Sequence, residues 1–482
     1  MLTRYFILIF VNISFTGVCF TQVSTPVPFG PVPSEQQLAW HEMEQYAFIH
    51  FTTNTFTNKE WGFGDENPDV FNPTAFDAEQ WAKTLKEAGM KALILTCKHH
   101  DGFCLWPSAY TDHSVKSSPF RNGRGDVVKE VSEACRKYGL KFGVYLSPWD
   151  RNQGTYGSPA YIEYYRNQLA ELFTNYGPVF EMWFDGANGG EGYYGGAREN
   201  RSIDRRIYYQ WPVTLDFVRQ MQPDVLFFSD AGPDIRWCGN ESGYAGETNW
   251  CIINPDTLYA GKSGIENLLN AGSGDGTRWI PAEVDVSIRP GWFYHQEQDS
   301  LVKTPEQLFA IYLNSVGRGS NLLLNIPPDR RGLLHENDIK SLQGFKKLRD
   351  EAFAHNLAGK ATVTASSFRS NSPQFSPANL IDNNKETYWT TDDSITTADI
   401  VIDLGTEKSL HYFVIQEYIK LGQRIRSFKV DVKKEEQWEE IARGTTVGYK
   451  RILELSGVCA SQIRIRILDS KACPMISEIE VY

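Results

Sequence analysis

From about residue 40 to 355 the chain alternates short apolar runs with amphipathic stretches. "YAFIHF" (46–51) predicts a strand, and "DAEQWAKTLKEAG" (77–89) a helix that starts at Asp77 and stops at Gly89. "KALILTCKHH" (91–100), the helix "DVVKEVSEACRKYG" (126–139) and the strand "KFGVYLSP" (141–148) follow. A helix around 159–176 leads to "VFEMWFDG", and another near 212–221 leads to "VLFFSDAG" (225–232). The last strands are "RWIPAEVDVS" (278–287) and "SNLLLNIPP" (320–328), with the helix "TPEQLFAIYLNSVGRG" between them. Strands that alternate with helices predict a parallel sheet, because each crossover returns to the same edge. Seven such strands suit an α/β fold of the closed (β/α)8 TIM-barrel type with one strand unrecognised. A doubly wound open sheet is the rival, but no GxGxxG follows the first strand.

Past residue 356 the pattern changes to short alternating strands and turn residues, which predicts an all-β sandwich over 356–482. There "PANLIDNNKETYWTT" (377–391) and "DIVIDLGTEKSLHYFVIQ" (399–416) resemble the discoidin-like, or coagulation factor type C, sandwich, whose fold carbohydrate-binding modules share. That resemblance implies a structural calcium in the loop before the tryptophan, centred here on Asp382; a plain solvated turn is the alternative. Trp389 is a candidate sugar platform or a core residue. At the other end, "MLTRYFILIFVNISFTGVCFTQ" has a basic start, an apolar run and small residues near Gly17. It predicts a signal peptide over 1–21 and an exported protein, with the barrel over 30–355. The apolar run is short and broken by Asn12 and Ser14, so no membrane span is expected.

The net charge of −11 argues against nucleic acid as a partner. The eight cysteines form no dense framework and include no CxxC; Cys97 with Cys104, or Cys238 with Cys251, could bridge after export. The 13 Trp and 23 Tyr supply flat faces on which sugar rings stack.

Active sites of such barrels form at the carboxyl ends of the strands. Those ends carry His50, His99 and His100, Tyr145, Trp183 with Asp185, and Asp230. Strand alternation puts Trp183 and Asp185 on one face and Met182 and Phe184 on the other, so Asp185 points to the lumen mouth. Neutral donors and acceptors beside an indole suit a monosaccharide. Glycoside hydrolysis needs a second carboxyl group besides Asp185, and Glu241, Glu247, Glu283 and Asp285 are the candidates.

"WHEMEQYAFIHFTTNTFTNKEWGFGDENP", "LTCKHHDGFCLWPS", "GVYLSPWD", "EMWFDGANGG" and "RWCGNESGYAGETNW" together resemble the α-L-fucosidases of glycoside hydrolase family 29 over residues 38–355. The wording around Glu241 is similar to the subfamily that cleaves α-1,3- and α-1,4-linked fucose from branched Lewis-type glycans. The resemblance implies a retaining reaction with Asp185 as nucleophile and Glu241 as acid/base. It implies a fucose pocket lined by His50, Glu60, Trp61, His99, His100, Tyr145 and Trp183, with Trp292 closing it and Arg236 as a neighbour. It implies no cofactor for the chemistry, and a fucosylated oligosaccharide or glycan as partner. The insert 189–211 would shape the aglycone side. A retaining barrel glycosidase acting on another sugar, and an inactive fucose-binding lectin, are the competing readings.

Overall fold

The computed structural model describes residues 23–482, so the expected signal peptide lies outside the described residues. Eight parallel strands close a barrel by hydrogen bonds. They are β1 (Gln45–Ile49), β2 (Ala92–Lys98), β3 (Lys141–Leu146), β4 (Glu181–Trp183), β5 (Leu226–Ser229), β6 (Ile235–Trp237), β7 (Ala282–Ser287) and β8 (Asn321–Asn325). β8 returns to pair with β1, Leu322 opposite Gln45.

Helix boundaries follow the capping residues. Asp77 accepts the N–H groups of Glu79 and Gln80 at the head of Ala78–Glu87. Asp126 caps Val127–Tyr138, which stops at Gly139 in the left-handed region, φ +66°. Alternation sorts the strand side chains into two cores. Ala47, Ile49, Met182, Phe184, Val284 and Val286 pack outward against the helix layer. Tyr46, Phe48, Ile94, Tyr145, Trp183, Phe228 and Leu323 fill the lumen. Gly143 faces that lumen, and a Cβ there would meet Ile94 and Phe180 at 2.9 Å.

The unrecognised strand is β6, in the stretch between the predicted strands 225–232 and 278–287. It has three residues, and only residues 230–234 join it to its parallel neighbour β5, with no helix between. A parallel connection normally needs a dozen or more residues. Here Gly232 turns the chain at φ +101°, and Asp234 accepts the Phe227 N–H at 2.8 Å and Arg219 at 2.6 Å. The single strand expected at 278–287 is two elements. Arg278–Trp279 forms an antiparallel ribbon with Ile252–Ile253, and only Ala282–Ser287 belongs to the barrel.

The C-terminal region is the expected β-sandwich. Its two longest strands, Ala398–Glu417 and Arg451–Ser470, pair antiparallel with register shifts between Asp403/Lys408 and Leu410/Tyr412. Such bulges bend a strand and let it serve both layers. Trp389 is fully buried in this core and donates its indole N–H to Ser367 O, so it is no sugar platform.

The sandwich is bonded to the barrel just past Glu241. Asn249 N–H donates to Thr446 Oγ1 (2.8 Å) and Cys251 N–H to Gln423 Oε1 (2.7 Å). Glu247 is gripped by Arg318 (2.7 Å) and Arg451 (2.9 Å). Cys97, Cys104, Cys238 and Cys251 are all free thiols, so neither expected bridge forms. No helix among the described residues is long and apolar enough to cross a membrane.

Candidate active site

At the carboxyl ends of the strands lies a cavity of about 240 Å³. His50, Trp61, His99, His100, Trp183, Asp185, Glu241 and Trp292 line it, so eight of the expected site residues converge. The indoles of Trp183 and Trp292 bracket Phe48, with ring centroids 5.1 and 6.3 Å from it. Trp61 stands edge-on to His100 and is 53% exposed, a hydrophobic flap at the opening.

Asp185 lies two residues past the end of β4. Its Oδ2 accepts the Tyr145 hydroxyl at 3.0 Å and its Oδ1 the Ala187 N–H at 2.6 Å. Burial raises its pKa, and these two bonds oppose the rise by stabilising the anion. The glycine that follows it has a steric cause. A Cβ on Gly186 would lie 2.1 Å from Asp230 Oδ2.

The histidines are neutral. Burial lowers His50 and His100 to about 3, and His99 well below its ordinary value. Neighbouring bonds fix two tautomers. Asn325 donates to Ser287 Oγ and Trp292 O, so its oxygen faces His50 Nδ1 (2.8 Å), which must carry the proton. Ser147 donates to Trp149 O, so His100 Nδ1 donates to Ser147 Oγ at 2.7 Å. The Nε2 atoms of His50 and His100 are therefore acceptors. His100 Nε2 lies 3.8 Å from Asp185 Oδ2, too far for a hydrogen bond. His99 Nδ1 has no protein partner among the described residues.

Glu241 sits on the rim, where Trp292 Nε1 donates to its Oε2 at 3.1 Å. Desolvation by the rim raises its pKa; the Trp292 bond lowers it, and the charges of Asp185 and Glu60 raise it further. Two of the rival carboxyls are placed elsewhere, while the third, Asp285, lines the cavity. Glu247 lies in the domain junction. Glu283 lies beneath the pocket, where it accepts Trp183 Nε1 at 2.9 Å and shares Tyr46 OH with Glu181. Burial raises both of these carboxyls, so they are not two anions.

Two expected pocket residues play other parts. Arg236 is fully buried and donates to Leu269 O, Ile280 O, Asn249 Oδ1 and Trp250 O, so it braces the segment behind β6 rather than the sugar pocket. Glu60 does not line the cavity; its carboxylate accepts Trp292 N–H at 2.8 Å and Phe293 N–H at 3.4 Å. Asp230, named at a strand end, and Asp285, named as a candidate second carboxyl, also line it. Asp230 accepts Gly261 N–H at 2.7 Å, and burial raises it to about 6. Asp285 accepts Trp237 Nε1 at 2.8 Å. Asp285 shares the lumen face of β7 with Glu283, which alternation along "AEVDVS" signals; Trp237 was hidden with its strand.

In the sandwich, Asp382 accepts Asn384 N–H (3.0 Å) and Thr387 OH (2.6 Å). Beside it Glu478 is 3% exposed, both its oxygens lack partners, and burial raises it to about 8. An orphaned buried carboxylate facing an acidic loop fits a hard divalent cation. Among the described residues no three His, Cys, Asp or Glu side chains are placed to hold a metal ion together, so backbone oxygens would complete the shell.

A closed parallel barrel with four carboxyl groups, neutral imidazoles and indoles around a sugar-sized cavity at its mouth defines a barrel glycoside hydrolase. Comparison with known proteins narrows the class. The chain belongs to the alpha-L-fucosidase family, whose model matches residues 20–347, and an F5/8 type C domain matches residues 362–479. It is 42% identical to Alpha-L-fucosidase 1 of Arabidopsis thaliana over 95% of this chain and 88% of the relative. A putative alpha-L-fucosidase from Bacteroides thetaiotaomicron superposes with a TM-score of 0.87 at 42% identity, covering 95% and 99% of the two chains. A Ruminococcus gnavus GH29 fucosidase in complex with fucose gives 0.85 at 36% identity, covering 96% and 97%.

Proposed function

We propose that this alpha-L-fucosidase is an exported, retaining exo-enzyme that removes α-1,3- or α-1,4-linked L-fucose from branched, Lewis-type glycans. The observation that carries the reading is that, among the four carboxyl groups lining one cavity, Asp185 and Glu241 have different surroundings. Asp185 is held by donors that favour its anion; Glu241 sits where desolvation and neighbouring carboxylates favour its acid form. In the first step Asp185 attacks the anomeric carbon, and Glu241 gives its proton to the departing oxygen. In the second, Glu241 takes a proton from water, and the water displaces Asp185 from the sugar. The acceptor nitrogens of His50 and His100, the free Nδ1 of His99 and the Trp183 face bind the fucose, as befits a relative whose structure contains that sugar. Calcium held by Glu478 and Asp382 would tie the sandwich loop and take no part in the chemistry.

The test is fucose release from a Lewis a or Lewis x trisaccharide and from an aryl α-L-fucoside, with wild type, Asp185→Asn and Glu241→Gln. The expected result is release from the branched sugar alone, abolished by Asp185→Asn, with α-fucose as the first anomer seen by NMR. Comparable rates on both substrates would overturn the linkage preference. First-formed β-fucose would overturn the double displacement, and wild-type kcat/KM in Glu241→Gln would remove the acid/base role.

A further inference from the structure

The loop after β7 brings Trp292 to the cavity, and its backbone is held from the opposite side by Glu60. His295, 6% exposed, lies against the same carboxylate, with Nε2 2.5 Å from Glu60 Oε1. Its Nδ1 is 2.9 Å from Asn58 Oδ1. The Asn58 amide is oriented from behind, because its Nδ2 donates to Glu297 Oε1 at 3.0 Å. The Asn58 bond holds the Glu297 carboxyl below its usual range, and an ionised carboxylate, which only accepts, favours this orientation of the amide. Both ring nitrogens of His295 therefore face acceptors. A neutral imidazole carries one N–H and leaves one of these contacts as two opposed lone pairs; the cation satisfies both.

We propose that His295 is a positioning residue: as an imidazolium donating to Asn58 and Glu60 together, it latches the Trp292 loop, and through the Trp292 indole it sets the surroundings of Glu241. This rests on the reading of Glu241 as acid/base. The charged and titratable groups around the latch are Glu60, Glu297 and, beside Glu297, Arg330. Those facing Glu241 are Asp185, Glu60 and Asp285. The Phe293 ring next to the latch packs on His50 and His99, both neutral.

Removing the latch acts twice in one direction. The Trp292 N–H that lowers Glu241 withdraws, and Glu60, whose charge raises Glu241, loses its counter-charge. The alkaline limb of kcat/KM should move up by about half a unit to one unit, the size of one hydrogen bond. A merely structural loss would lower the rate and leave the limb where it was.

The experiment compares full-length wild type, His295→Ala and the milder His295→Gln, reading the pH profile of kcat/KM and the inhibition constant of free L-fucose. Both the limb and the inhibition constant are expected to rise, the latter about threefold to tenfold as the Trp292 wall loosens. Trp292→Phe, which deletes only the indole N–H, should move the limb the same way, and the double variant should shift it by less than the sum. Neither quantity moving, or a fully additive double variant, overturns the latch. A weaker fucose affinity with an unmoved limb in every variant keeps the latch on Trp292 and removes Glu241 from the acid/base role instead.

Discussion

The Tyr145 hydroxyl is the most direct handle on Asp185, the proposed nucleophile, and Tyr145→Phe removes only that hydroxyl. Its ring stays packed, 5.4 Å from Trp183 and 5.7 Å from His99 between centroids. The lost bond is a 3.0 Å hydrogen bond to Asp185 Oδ2. A hydrogen bond to a charged group contributes about 1.5–3 kcal/mol, equivalent to about one or two pKa units. Asp185 keeps the Ala187 N–H, and its side chain is 23% exposed so water can replace part of the loss, which favours the lower figure. The sign is definite. The bond favours the carboxylate, so removing it raises the pKa of Asp185, and the nucleophile must be ionised to attack. The acid limb of kcat/KM should therefore move up by about one unit, and the plateau should fall about tenfold, with little change in Tm. The assay is the pH dependence of fucose release between pH 4 and 9 on the substrate the wild type cleaves best. An acid limb that stays in place, at wild-type rate, would show that Tyr145 only packs and that the hydroxyl does not tune Asp185.

Gly186→Ala drives a methyl group into the Asp230 carboxylate, so the loop carrying Asp185 must shift; kcat should fall more than tenfold, while circular dichroism stays that of the wild type. His41 lies between Trp279 and Tyr449, and burial lowers it to about 3. The stability it contributes is full above the unfolded pKa of about 6.5 and is lost as pH falls toward 3, so His41→Gln should lose about 2 kcal/mol less than wild type between pH 6.5 and 5 in urea titrations. Calcium should raise Tm relative to EGTA, and Glu478→Gln should abolish the difference; equal melting curves in the wild type would remove the cation from the sandwich.

The barrel was legible because its period is strict. Alternation along β4 assigned Trp183 and Met182 to opposite faces, and the structure places them in the lumen and under the helices. β6 was illegible because three residues in a run of Gly, Asn and Trp carry no period, and because it lacks the helix that announces a parallel strand. The site was legible as residue types at strand ends, which converge whatever their contacts. Arg236 and Glu60 escaped because a charged side chain near a mouth can turn either way, and only the backbone groups it meets decide. Arg236 meets three backbone carbonyls and an amide oxygen; Glu60 meets two N–H groups and an imidazole.

The bonds from Asn249, Cys251 and Glu247 to the sandwich begin only a few residues past Glu241. Of the two proposed catalytic carboxyls, Asp185 thus grows from the barrel alone, and Glu241 sits on a segment clamped by a different domain. A barrel truncated at residue 355 would keep the setting of Asp185 but lose the anchorage of the segment after Glu241. Grafting a foreign module onto this barrel would retune the catalyst as well as its address, so the heritable and engineerable unit is the pair.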